Sequence, residues 1–214
     1  MCSKKLVVAT QNKKKLEEIK EILKFFDLKI TSLADYSAAP RVVENGKTFK
    51  ENAVKKAVKI AKFTGKLTLG EDSGLCVEAL GGAPGVRSAR FSGRDKNDDK
   101  NNRKLLKALE GLPLKKRFAY YACAVALADE RGLIGVVEGR CNGRIAFISQ
   151  GHLGFGYDPL FFIPKYKKTF AQLGPVIKHS MSHRFRALKK ARKILIAYFK
   201  QGNVFDNKAY RCYT

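Results

Sequence analysis

The chain has 214 residues, 45% of them hydrophobic, enough to build a proper core in one large or two small lobes, which excludes an intrinsically disordered chain. Its 43 Lys and Arg against 19 Asp and Glu leave a net charge of +24, which favours a polyanionic partner, either nucleic acid or a small phosphorylated substrate, although a solvated Lys-rich surface explains the same imbalance. The five cysteines, Cys2, Cys76, Cys123, Cys141 and Cys212, are odd in number, scattered and free of Cys-x-x-Cys pairs, so neither a disulfide framework nor a zinc site is expected, and a reducing cytoplasm fits.

The first apolar run, Leu6-Val7-Val8-Ala9-Thr10, is too short for a signal-peptide core or a membrane span and reads as a strand. Beyond the polar turn Thr10-Gln11-Asn12, the residues Leu16, Ile19, Ile22, Leu23 and Phe26 share one helical face, predicting a helix over 13–26. Thr48 is placed to cap a second helix with Glu51 reaching back in a capping box, and Ala53, Val54, Ala57, Val58 and Ala61 form its buried side. Lys66-Leu67-Thr68-Leu69-Gly70 reads as another apolar run. Glu71-Asp72 emerges at its end, and Ser73-Gly74 is expected to turn the backbone sharply there. Residues 117–128 read as a strand, Asp129-Glu130-Arg131-Gly132 as the turn to a partner over 133–137, and Asn142-Gly143 as another reversal before 144–148. After Gly151, 13 basic residues face only Asp158 and Asp206. The last helix begins after Ser182, with Phe185, Leu188, Ala191, Leu195 and Phe199 inward and Arg186, Lys189, Lys190 and Lys193 outward. A loose tail is expected over 201–214. Strands alternating with helices, without repeats, predict a mixed α/β architecture.

Four polar clusters stand at the borders of these elements. Glu71-Asp72 places two carboxylates side by side, an arrangement that is unfavourable without a cation and that suits a hard metal held against a phosphate; an acidic turn after a strand is the plainer reading. Thr10, Asn12 and Lys15 lie at a helix start, where a hydroxyl, an amide, free N–H groups and an ammonium can face one anion, and simple N-capping by Asn12 accounts for the same pattern. The glycines of a P-loop are missing. Glu44-Asn45-Gly46 precedes Asn52 and Lys56, which share a helical face whose default destination is solvent. Phe155-Gly156-Tyr157-Asp158-Pro159 is expected to expose a ring and a carboxylate on a glycine-hinged loop, suited to stacking on a planar ring and reading its edge. Lys178 and then Ser182-His183-Arg184 bring further donors to another helix N-terminus.

Taken in order, these segments resemble the non-canonical purine nucleoside triphosphate pyrophosphatases, the inosine triphosphatase-like family. The resemblance rests on Thr10-x-Asn12-x-x-Lys15, Thr48-Phe49-x-Glu51-Asn52-Ala53-x-x-Lys56-Ala57, Glu71-Asp72-Ser73-Gly74-Leu75, Gly81-Gly82-Ala83-Pro84-Gly85-Val86-x-Ser88-Ala89-Arg90, Phe155-Gly156-Tyr157-Asp158-Pro159 and Ser182-His183-Arg184. It implies an elongated α/β fold, one domain over 1–200 with two lobes around a central cleft, usually as a homodimer. It also implies Mg²⁺-dependent hydrolysis of ITP, dITP and XTP to monophosphate and pyrophosphate, with no membrane partner and no nucleic acid required. Asp72 then matches the proton acceptor and a metal ligand, with Glu44 and Glu71 as further ligands. Thr10, Asn12, Lys15, Lys56 and Ser73 match positions that hold the triphosphate, and Phe155, Gly156, Tyr157, Asp158, Lys178, His183 and Arg184 match the base site. Hypoxanthine offers a C6 carbonyl and a protonated N1, so Lys178, His183 and Arg184 can donate while Asp158 accepts; adenine reverses both groups. Glu71 stands where the resemblance leads one to expect aspartate. A basic nucleic-acid-binding module, and a nucleotide pyrophosphatase of different base preference, are the competing functions.

Overall fold

The computed structural model describes residues 4–24 and 26–209. In chain order it runs β1 (Lys4–Val8), α1 (Lys13–Leu23), β2 (Leu28–Ser32), α2 (Phe49–Thr64), β3 (Thr68–Val77), α3 (Asp98–Ala108), β4 (Phe118–Asp129), β5 (Gly132–Ile145), β6 (Phe161–Ile163), β7 (Lys168–Thr169), α4 (Phe170–Met181) and α5 (His183–Ala209). The strands form one seven-stranded sheet in the order β2-β1-β3-β4-β5-β6-β7. β1 pairs in parallel with β2 and β3, and the remaining pairs are antiparallel. This is the mixed α/β architecture that the alternation of periodicities predicts.

The sheet is covered on both faces, and β3 and β4 show how. On one face Leu67, Leu69, Cys123, Val125 and Leu127 pack against Ile19 and Leu23 of α1 and Leu188, Ala191 and Leu195 of α5. On the other, Ala124, Ala126 and Ala128 meet Ala53, Ala57 and Ala61 of α2. Small side chains on both partners let α2 lie close to the strands, and Gly70 is needed for this. A Cβ there would stand 2.2 Å from the Ala53 carbonyl oxygen. A separate cluster farther along the chain joins Leu75, Leu105, Tyr121, Ile145, Tyr157, Phe161 and Phe170, giving the molecule a second core around the β5–β7 end of the sheet. Among the described residues no helix is long and apolar enough to cross a membrane.

Several expectations are corrected. α1 ends at Leu23 rather than Phe26, because the chain must turn into β2, an element not anticipated. Ser73-Gly74 makes no turn: β3 runs straight through Glu71-Asp72-Ser73-Gly74, paired residue for residue with β4. Asn142-Gly143 is likewise mid-strand in β5. A Cβ on Gly143 would lie 2.7 Å from the Phe161 ring, so close packing explains that glycine and a reversal does not. Thr48 caps α2 by accepting from the Glu51 N–H, but the Glu51 carboxylate reaches past the cap to the Lys47 N–H at 2.9 Å. α5 continues past residue 201 to Ala209; Cys2, Cys212 and the last part of the expected tail lie outside the described residues. Cys76, Cys123 and Cys141 are free and buried.

Candidate active site

A strand alternates its side chains between faces, so neighbours in sequence serve different sides of the sheet. Gly70, Asp72 and Gly74 look toward α2, while Glu71 and Ser73 look toward α1 and α5. The adjacent carboxylates therefore belong to two clusters. This is the main departure from the expectation that both emerge together from a turn.

On the α2 face, Asp72 stands between two glycines that clear room around it. A Cβ on Gly74 would come within 2.4 Å of the Ser88 hydroxyl and 2.5 Å of the Gly85 carbonyl oxygen. Asn52 and Lys56, expected to face solvent, are instead buried and converge on Asp72. The Asn52 amide donates to Asp72 Oδ2 at 3.0 Å, and Lys56 Nζ donates to Asp72 Oδ1 at 3.2 Å and Glu44 Oε2 at 2.9 Å. One ammonium thus joins a buried carboxylate to a more exposed one. Burial lowers the proton affinity of Lys56, but the charges of Asp72, Glu44 and Glu71 outweigh it and hold the ammonium above its ordinary range. Burial pushes the Asp72 carboxyl up against the opposing pull of Lys56 and Lys15, making it a stronger proton acceptor than a surface aspartate. Burial also opposes ionisation of Glu44, yet Lys56 keeps it below the usual range.

On the opposite face, Arg184 is fully enclosed at the start of α5 and bridges two acids. Its guanidinium binds Glu18 of α1 through Nη1, and Nη2 donates to Glu71 Oε1 at 2.9 Å and Ser73 Oγ at 3.1 Å. Lys15 Nζ lies 2.9 Å from Glu71 Oε2, outside hydrogen-bonding direction, so this contact is a charge pairing. Cys123 donates its thiol to Glu71 Oε1 at 3.3 Å. Burial disfavours the Glu71 anion, but Arg184, Lys15 and Lys56 overrule it and keep the group well below the carboxylate range. Lys15 acts on the other face as well, lowering the proton affinity of Glu44 and Asp72 through space. Its α1 backbone is fixed by Asn12, whose Oδ1 accepts from the Lys15 N–H at 3.1 Å, and Thr10 Oγ accepts from the Asn12 N–H at 3.1 Å.

The third group adjoins Arg184. Lys178 Nζ donates to Asp158 Oδ2 at 2.6 Å and Glu18 Oε1 at 2.7 Å, and all three side chains are buried. Burial drives the Asp158 carboxyl up despite Lys178. Burial likewise opposes ionisation of Glu18, but the nearby His179 and the charges of Arg184 and Lys178 hold it far below the carboxylate range. The loop expected to expose both a ring and a carboxylate does neither fully. Asp158 is enclosed, its Oδ2 accepting from the Phe155 N–H at 3.0 Å, and Tyr157 is a core residue whose hydroxyl donates to the Ser88 carbonyl at 2.8 Å. Phe155 is half-buried, with Lys178 Nζ 4.7 Å from its ring centre. Gly156 is pinned by α3: its N–H donates to Asp98 at 2.8 Å and its carbonyl accepts from Asn102 at 3.0 Å. His183 stacks on Tyr121 with ring centres 4.6 Å apart. Burial, then the Arg184 charge, keeps its imidazole well below the usual range, hence neutral. Its Nδ1 and the Nε of Arg184 are buried without a hydrogen-bond partner, so both offer polar capacity to a ligand.

The residues singled out from sequence thus fall into one region with three adjoining parts. Glu18 was missed. Its signal was present: it lies three residues from Lys15 on a Lys-rich helix, on the same face. Asp98, Asn102 and Tyr121 had none, because they act through contacts far apart in the chain. Among the described residues no group of three or more acidic, His or Cys side chains converges as a ready-made metal cluster.

The model of the Ham1 family matches residues 6–194. A dITP/XTP pyrophosphatase of Desulforamulus reducens is 51% identical over 191 residues, covering 89% of this chain and 95% of that protein. One of Clostridium perfringens is 44% identical over 203 residues, covering 92% of this chain and 100% of that protein. Among solved structures, a HAM1 protein from Coxiella burnetii aligns with a TM-score of 0.82 at 38% identity, covering 91% of this chain and 99% of its own. The Staphylococcus aureus Ham1 protein gives 0.81 at 36% identity, over 91% and 100%.

Proposed function

Because the chain belongs to the Ham1 family, we propose that it is a nucleoside triphosphate pyrophosphatase, hydrolysing ITP, dITP and XTP to the monophosphate and pyrophosphate. The observation that carries this reading is the Asp72 cluster: a buried carboxylate of raised proton affinity, aimed by Asn52 and shared with Glu44 through Lys56. Asp72 takes the proton of the attacking water. Lys56 and Lys15, with Thr10, Asn12 and Ser73, hold the triphosphate and offset charge that moves toward the leaving pyrophosphate.

The donor chemistry suits Mg²⁺, which is bound through one or two carboxylates together with substrate phosphates. Glu44 and Asp72 supply hard anionic oxygens on one face, within reach of a single ammonium, and are the residues we assign to the metal. Bound there, Mg²⁺ would neutralise phosphate charge. Glu71 is engaged by Arg184 and Lys15 on the other face, so we give it the task of holding those cations in place of the ligand role expected from sequence. At the base site Phe155 stacks, Gly156 and Tyr157 shape the loop, Lys178, His183 and Arg184 face the purine edge as donors, and Asp158 is the acceptor. Orphaned polar atoms on His183 and Arg184 support this. We read residues 1–200 as one two-lobed unit working as a homodimer in the cytoplasm, with neither membrane nor nucleic acid as a partner.

A pyrophosphate-release screen over dITP, XTP, dGTP and dATP, with and without Mg²⁺, tests the assignment. The expected result is a kcat/KM for dITP and XTP at least about 100-fold above dATP, since the reversed edge of adenine leaves buried partners unpaired. Equal rates on all four would remove the base-reading role of Asp158 and Arg184.

A further inference from the structure

Glu44 sits on a segment without helix or strand, ahead of α2. Around it the chain is clasped by side chains from outside: Lys59 donates to the Arg41 carbonyl at 2.9 Å, Arg90 to the Glu44 carbonyl at 3.0 Å and Lys55 to Asn45 Oδ1 at 2.8 Å. Those three contacts are exposed, so water competes for each. The fourth is not. Asn52 Oδ1 accepts from the Gly46 N–H at 2.8 Å in a buried bond, while the amide of the same side chain donates to Asp72 Oδ2 at 3.0 Å. Asn52 is 1% exposed, so neither end of its amide can exchange its partner for solvent without opening the site.

We propose that Asn52 is a positioning residue that ties the backbone of the Glu44 segment to Asp72 through Gly46, beside the Lys56 ammonium that joins the two carboxylates directly. The proposal rests on the reading of Glu44 and Asp72 given above. Only an amide serves both partners without a proton shared between acids: an ionised aspartate keeps the acceptor but has no donor for Asp72, and alanine loses both. Gly46 completes the device, because a Cβ there would lie 2.6 Å from Asn52 Oδ1 and 2.8 Å from the Glu51 Cβ. The residue that receives the tie must therefore be glycine for the backbone to come close enough.

The test is a double-mutant cycle of Asn52→Ala and Gly46→Ala, read by dITP kinetics and by amide hydrogen exchange of the free protein. Each single variant is expected to lower kcat by tenfold or more and, as the loss of one buried hydrogen bond implies, to speed exchange in the 44–47 segment by about tenfold. Because both break the same link, the double variant is no slower than the slower single. Asn52→Asp separates the two ends: it keeps the 44–47 protection while kcat falls, and it remains informative if Asn52→Ala fails to fold. Unchanged exchange in Asn52→Ala, kcat losses that multiply in the double variant, or lost protection in Asn52→Asp would each overturn the tie. A wild-type protein inactive on dITP and XTP would instead sink the functional reading, leaving the exchange result to decide the Asn52–Gly46 link alone.

Discussion

Asp72→Asn lowers kcat for dITP by about 10³-fold, within the range for loss of a general base, with little change in KM. Asparagine has the shape of aspartate and can still accept from Lys56, whose ammonium also keeps Glu44, so the triphosphate holders stay in place. What is lost is the proton acceptor, the oxygen that accepts from the Asn52 amide and one of the two carboxylates assigned to Mg²⁺, which saturating metal offsets. Steady-state kinetics at saturating Mg²⁺ check the split between kcat and KM. A variant that releases pyrophosphate at the wild-type rate would show that another group activates water, and Asp72 would become a structural partner of Lys56.

The second large effect is on stability. Arg184→Ala removes the guanidinium that joins Glu18 and Glu71, both buried. Breaking a buried ion pair from one side leaves an uncompensated charge and is destabilising by about 3–5 kcal/mol. In a chain of this size that lowers Tm by roughly 10 °C. Lys178 still meets Glu18 and Lys15 still meets Glu71, which keeps the loss at the lower end of that range. Arg184→Lys supplies a point charge without the fork that spans both acids and Ser73, so an intermediate loss follows. Thermal unfolding of the two variants checks the order. A Tm unchanged in Arg184→Ala would mean that the two acids find their counter-charges elsewhere.

The legible part of this protein was local. The periodicity of Leu188, Ala191 and Leu195 placed the inner face of α5, and all three are fully buried. Thr48 and Asn12 announced helix starts, because a cap is a contact between residues two or three apart. The clusters around Asp72, Phe155 and His183 could be picked out because their residue types are unusual beside apolar runs. What stayed hidden depends on tertiary approach. Glycine in Ser73-Gly74 and Asn142-Gly143 looks like a turn signal, yet in each case it makes room for a neighbour packed against the strand. A turn there would bring Glu71 and Asp72 out together, whereas strand alternation sends them to opposite faces. Asn52 and Lys56 look like solvent residues, but the alanine faces of α2 and β4, with Gly70 on β3, bring the helix down onto the sheet.

Product identity shows which phosphoanhydride breaks, and a nucleoside triphosphate pyrophosphatase cleaves between the α- and β-phosphates. Phosphorus NMR of dITP incubated with the protein and Mg²⁺ should show dIMP and pyrophosphate appearing together in equal amounts, with no dIDP at any time. Accumulation of dIDP with inorganic phosphate would contradict the account, because the site would then be a phosphohydrolase acting at the γ-phosphate.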